Sequence, residues 1–249
     1  MTPLSPPRLP ASAPLQIAID GPAGAGKSTV ARQVARALGL TYIDTGAMYR
    51  ALAWVVLARG VAPDDEAAVC RLAQTVAVHL ETRGGDTQVY ADGQDVTPFI
   101  RTPEISNLTS PLSAIPCVRA RMVALQQAMA ARQGVVMEGR DIGTVVLPDA
   151  PIKVFLTASL ARRAERRLLE LEERGTLRPL DELTREIAAR DARDGGRDIA
   201  PMRPAPGAVI LDSDTLTVGD VVARILQLAR EVDPVSPASA ARAPQERGV

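Results

Sequence analysis

Apolar residues recur along this chain in two rhythms. Short, nearly continuous apolar runs predict strands at Leu15–Asp20, Thr41–Asp44, Val135–Glu138, Ile152–Thr157 and Ala208–Asp212. Between them, apolar positions three and four apart predict helices at Lys27–Leu38, Ala47–Arg59, Glu104–Arg132, Ala161–Arg174, Leu180–Asp194 and Val218–Val232. In the first helix Val30, Val34, Ala37 and Leu38 form one stripe, and Gly39 supplies a stop. Strands without a polar face that alternate with helices predict an α/β fold, with a parallel sheet covered on both sides. Ligands of such sheets gather beyond the C-terminal ends of the strands, so polar residues just after strands are the ones to inspect.

One stretch breaks the alternation. "TVAVHLETRGGDTQVYADGQDVTPFIRT", Thr75 to Thr102, joins short β-like runs through "RGGD" and "ADGQD". It reads as a hairpin or three-stranded insert, or as a surface loop. His79, the one histidine, falls in this stretch and is expected as a strand side chain, not a catalytic base. At the ends, 1–14 is rich in Pro and Ser and 233–249 in Pro and Ala; both are expected to be disordered, around one domain at 15–232.

Composition narrows the function classes. A chain of 249 residues can bury a sizeable core. Its formal net charge of +0 argues against a general nucleic-acid surface, which needs a basic excess. No run approaches a membrane span, and the N-terminus lacks a signal-peptide pattern, so a soluble cytoplasmic protein is expected. Cys70 and Cys117 are the two cysteines, with no Cys/His cluster; neither a disulfide framework nor a zinc site is expected.

The first strand runs into "GPAGAGKST". Gly21 to Ser28 fits G-x-x-x-x-G-K-[ST], in the strand–turn–helix context the motif requires. Gly21, Pro22, Ala23, Gly24, Ala25, Gly26, Lys27, Ser28 and Thr29 are therefore expected to wrap the phosphates of ATP. Glycines let backbone N–H groups approach the anion, and the helix start adds its positive dipole end. Lys27 is expected on the β- and γ-phosphates and the Ser28 hydroxyl on Mg²⁺. Elsewhere the positive charges are written as arginine: of 29 Lys plus Arg, only Lys27 and Lys153 are lysine.

Three further groups follow predicted strands or close a helix. In "DTGAMYR", Thr45 can cap the next helix and Arg50 can reach back to a phosphate. In "EGRDIGT", Arg140 and Asp141 stand where the sheet opens, although such neighbours also serve as plain ion pairs. In "REIAARDARDGGRDIAP", Arg190 and Asp194 share a helix face, with Arg193 and Arg197 beside them. This is either a solvated helix or an arginine lid over phosphates. One phosphate loop with three separate arginine groups has two anions to hold. That favours a kinase with a phosphorylated acceptor over an ATPase or a GTPase, and no N-K-x-D guanine motif is present.

The stretches "IAIDGPAGAGKST", "YIDTGAMYRALA", "IRTPEIS", "EGRDIGTVVLPDAPIKVFL" and "RDARDGGRDIAP" occur in the order of bacterial cytidylate kinases, which the chain resembles from about Leu15 to Arg230. The resemblance implies a three-layer P-loop kinase with a five-stranded parallel sheet, a β-rich monophosphate-binding insert at 75–110 and a short helical lid within 160–201. It implies γ-phosphoryl transfer from ATP to CMP or dCMP with Mg²⁺; separately, a monomer is expected. By position, Arg50 and Arg140 would grip the acceptor phosphate, with Thr45 nearby. Ser110, Arg119 and Asp141 would face the cytosine, Arg190 and Asp194 would hold the ribose, and Arg197 would bridge phosphates. Lys27, Arg140, Arg190 and Arg197 are then the expected catalytic set.

Overall fold

The computed structural model describes residues 14–83, 86–173 and 175–232; apart from Pro14, both terminal segments expected to be disordered lie outside these. The chain opens with β1 (Gln16–Asp20), α1 (Lys27–Leu38), β2 (Thr41–Asp44), α2 (Thr45–Ala58) and α3 (Glu66–Thr75). Then come β3 (Val78–Arg83), β4 (Asp86–Ala91), β5 (Gln94–Asp95), α4 (Pro103–Leu112) and α5 (Pro116–Ala130). The second half holds β6 (Val135–Gly139), a π-helical turn at Ile142–Val146, β7 (Ile152–Thr157), α6 (Leu160–Glu172), α7 (Leu180–Gly195), β8 (Val209–Asp212) and α8 (Val218–Val232).

The five predicted strands form one parallel sheet in the order β2-β6-β1-β7-β8. All five residues of β6 are buried, which is why Val135–Met137 are apolar on both faces. Val30, Ala31, Val34 and Ala35 of α1 pack with Val221, Ile225 and Ala229 of α8 over one face, on Ile17, Ile19, Val154 and Leu156. Each such fully buried aliphatic side chain contributes roughly 1.5–3 kcal/mol. The buried stripe of α1 is shifted from the expected one: Ala37 is exposed, because the helix ends at Gly39 (φ +66) and leaves the sheet before that turn.

β3, β4 and β5 form a separate antiparallel sheet, as the alternating stretch predicted. Its apolar side, with Val78, Val89, Ala91 and Val96, packs on Leu52 and Val56 of α2. His79 pairs across the strands with Tyr90.

Two expectations are corrected, and one helix is new. The single helix predicted at 104–132 is two, because Pro116 cannot extend a helix and holds Ile115 in an extended conformation (φ −67, ψ 123). The helix α3 was not predicted; it is a short amphipathic one that buries Val69, Leu72 and Ala73. The two cysteines do form a disulfide: Cys70 of α3 joins Cys117 of α5, with Cα atoms 5.7 Å apart. The bond closes a chain segment with a sequence separation of 47, which spacing alone did not reveal.

Candidate functional site

β1 ends at Asp20 and the chain turns at Gly21, whose φ is +144; a Cβ there would lie 2.0 Å from the Leu156 carbonyl oxygen. Only glycine can pass so close to β7. Gly24 and Gly26 also take positive φ, and α1 begins with Gly26 as its cap residue. The expected loop, Gly21 to Thr29, therefore wraps the N-terminus of α1. Its residues Ala23 to Thr29 line a cavity of about 840 Å³, shared with Asp44, Arg50, Arg101 and Arg190.

Lys27 is buried and donates to the Pro22 carbonyl oxygen at 2.7 Å. Burial, and then Arg140 and Arg190, push its ammonium to about 7, while Glu138 and Asp20 pull the other way. A phosphate chain would supply the missing counter-charge. Glu138, the penultimate residue of β6, accepts a short hydrogen bond from Tyr42 Oη. Burial and Asp44 raise its carboxyl, against Lys27 and Ser28. Glu138 and Ser28 thus face the same small volume beside Lys27.

The wall across from the loop is built from side chains. Asp44, not Thr45, caps α2 by accepting from Ala47 N at 2.9 Å; a carboxylate gathers helix N–H groups better than a hydroxyl one residue too late. Thr45 instead donates to the Glu138 carbonyl oxygen at 2.7 Å and locks α2 to β6. Arg50 pairs with Asp44 at 2.8 Å. Burial would raise the Asp44 carboxyl, but Arg50, the Ala47 N–H and Arg101 hold it low.

Arg140, Arg190, Arg197 and Asp194 meet in one ionic cluster. Asp194 Oδ2 takes Arg140 Nε at 3.0 Å, with Arg190 at 3.9 Å, and Oδ1 takes Arg197 Nη2 at 2.5 Å. Burial disfavours the carboxylate there, yet the three guanidinium groups hold its pKa below the usual range. Burial and the neighbouring Arg140 pull Arg190 down to about 10, with Asp194 opposing. Ser110 joins this cluster by donating to Asp194 Oδ1 at 3.3 Å. Beside it, Arg119 and Asp141 form a buried ion pair, and Arg119 also donates to Ser113 O at 3.3 Å. So Arg119 and Asp141 stand together as predicted, while Ser110 is drawn toward the arginine cluster. Buried Nε atoms of Arg50, Arg190 and Arg197 have no hydrogen-bond partner. These three arginines thus keep hydrogen-bonding capacity that an anion could use.

Sequence reasoning missed Asp20, Tyr42, Glu138 and Arg163. Arg163 of α6 reaches the Ala23 carbonyl oxygen at 3.3 Å and pairs with Asp191 of α7, tying α6 and α7 to the loop. A charged last or penultimate residue in a buried apolar strand was the available signal for Asp20 and Glu138. For Arg163, on an exposed-looking arginine-rich helix, there was none.

The cytidylate kinase family model matches residues 17–231. A cytidylate kinase of Lactobacillus gasseri is 45% identical over 217 residues, covering 87% of this chain and 94% of that protein. Another, of Pelotomaculum thermopropionicum, is 51% identical over 211 residues, 84% of this chain and 93% of that protein. A bifunctional pantoate ligase/cytidylate kinase of Synechococcus sp. is 47% identical over 231 residues, 92% of this chain. The chain spans only 42% of that longer relative. With its loop on β1, its charged strand ends and its arginine cluster, this chain belongs to the cytidylate kinase family.

Proposed function

We propose that the protein transfers the γ-phosphoryl group of ATP to CMP and dCMP, giving the diphosphates. The observation that carries this reading is the cluster of Arg50, Arg140, Arg190 and Arg197 beside the phosphate loop, with three buried guanidinium nitrogens lacking partners. An ATPase has one polyphosphate to hold; this site has cationic groups for a second anion.

The loop and Lys27 hold the triphosphate. Arg50 and Arg140 hold the acceptor phosphate, and Arg190 and Arg197 exchange Asp194 for phosphate oxygens as the lid closes. That places positive charge around the transferred group, where phosphoryl transfer needs it. No general base is required, since the second pKa of a phosphate monoester is about 6 and its oxygen is already ionised at neutral pH. Mg²⁺ fits the donor set: the Ser28 hydroxyl would hold it, with the Glu138 carboxylate close by, leaving most of its coordination to phosphate and water. When bound, it neutralises charge on the β- and γ-oxygens.

Base choice falls to Asp141 and Arg119. The carboxylate accepts from the cytosine N4 amino group and the guanidinium donates to N3 and O2; uracil presents an acceptor at O4 and a donor at N3, so only the contact to O2 survives. The balanced net charge of +0 supports free nucleotides, not nucleic acid, as substrates. We further propose a monomer acting in the cytoplasm. An ADP-release assay across CMP, dCMP, UMP, AMP and GMP tests the reading. Turnover with CMP and dCMP is expected; ADP release that ignores all five acceptors overturns it.

A further inference from the structure

Asp20 is the last residue of β1, directly before the phosphate loop, and it is buried. Its carboxylate does not point into the loop. Oδ1 accepts from Ile142 N and Oδ2 from Gly143 N, both at 2.8 Å. Those N–H groups open the π-helical turn that follows Arg140 and Asp141. Asp141 itself lies at φ −146, ψ 25, outside the helical region, so the chain between β6 and the turn is bent. The bend aims Asp141 at Arg119 of α5 and Arg140 at Asp194 of α7.

Space around this segment is tight. A Cβ on Gly139 would meet Ile142 Cδ1 at 2.7 Å and Thr45 Oγ1 at 2.8 Å. A Cβ on Gly143 would meet Ala205 Cβ at 3.1 Å. The turn is thus pressed against its neighbours on both sides and fastened at its start by one side chain from the central strand. Asp20 is also the register partner of Gly139 across the β1–β6 pair. One residue therefore ends the strand that launches the donor loop and clamps the segment that bears the two acceptor-facing side chains.

We infer that Asp20 is a positioning residue for the acceptor: its carboxylate fixes Arg140 and Asp141 relative to the phosphate loop. The inference rests on the kinase reading given above. Both carboxylate oxygens of Asp20 are engaged by Ile142 N and Gly143 N, so it acts through the backbone of residues 140–143. A neutral side chain of the same shape satisfies one of the two N–H groups and turns its own N–H toward the other, so the turn must shift.

The test is Asp20→Asn, assayed with both substrates varied. The KM for CMP is expected to rise at least about 10-fold with a fall in kcat, while the KM for ATP stays within about threefold. A KM for CMP within threefold of wild type, or equal rises for CMP and ATP, overturns the inference and leaves Asp20 as a cap that only stabilises the fold. Should the variant not fold, amide exchange in the wild-type protein decides: CMP binding is expected to slow exchange at Ile142 and Gly143 at least about tenfold. Unchanged exchange there overturns the proposal. Wild-type protein that does not phosphorylate CMP would instead sink the kinase reading, a result separable from an active wild type with an unaffected variant.

Discussion

The two halves of the site are made differently. The side proposed for ATP is almost all main chain: glycines at positive φ, a helix N-terminus and one lysine from a single stretch of nine residues, Gly21 to Thr29. The side proposed for the acceptor takes its groups from the end of β2, from α2, α4, α5 and α7, and from the residues just past β6 and α7, and they pair with one another: Arg50 with Asp44, Arg119 with Asp141, and Asp194 with three arginines. A main-chain cradle keeps its shape without ligand. On the proposed reading a set of paired side chains trades partners to bind, so a substrate would compete with the ion pairs at Asp44, Asp141 and Asp194. Such a site discriminates well, because a wrong ligand leaves buried charges unmatched.

The comparison can be broken most severely at Lys27. Lys27→Ala should cut turnover at least about 10²-fold, on the order of 3 kcal/mol, with folding retained because a buried ammonium is lost without a core side chain. Steady-state kinetics and thermal melting check both halves of this statement. Near-normal turnover would mean that the loop binds without taking part in the transfer.

Asp20 sits between the two sides and gives the next effect. Burial raises its carboxyl from 3.8 to about 6 against the N–H groups of Gly143 and Ile142. Between those pH values the native state holds more protons than the unfolded chain. The resulting stabilisation is full below about pH 4 and is lost as pH rises through 6. The span is on the order of 2–3 kcal/mol. Subtracting the Asp20→Asn unfolding free energies from those of wild type, over pH 4 to 7, should show this slope. A flat difference would mean that the carboxylate is ionised throughout.

Arg50→Ala and Arg140→Ala should each raise the KM for CMP by about 10–30-fold and lower kcat, with ATP affinity nearly unchanged. Calorimetric titration with each nucleotide separates the two. Weaker ATP binding with intact CMP kinetics would exchange the two sides of the comparison. The smallest effect is on the base. Wild type should prefer CMP over UMP by at least about 10-fold in kcat/KM, and Asp141→Asn, which spares the shape of the buried pair with Arg119, should narrow that ratio. A ratio left intact would take base reading away from Asp141.

The same contrast explains how much the sequence revealed. The donor loop was legible because its geometry is local: the glycine spacing, the strand before it and the helix after it are adjacent in the chain. The sheet was legible because strands buried on both faces carry unmistakable apolar runs. Arg50, Arg140, Asp141, Arg190, Asp194 and Arg197 were legible as charged groups near strand ends or in the lid, but their pairings were not. Nothing in spacing says that Asp194 gathers Arg140 from 54 residues away. The capping role went to Asp44 and not Thr45 because either residue suits an N-cap, and only the strand's exact end decides. The Cys70–Cys117 link depends on the packing of α3 against α5, and α3 itself was not predicted.

That disulfide has a topological consequence. The three-stranded sheet and α4 lie wholly between the two cysteines, so they belong to a closed covalent ring whose neck is the contact of α3 with α5. A protease cutting once inside the ring yields one molecule under oxidising conditions and two pieces after reduction. Within such a ring the small sheet and α4 stay tied to α3 at one end and to α5 at the other, and Arg119 lies only two residues past the link.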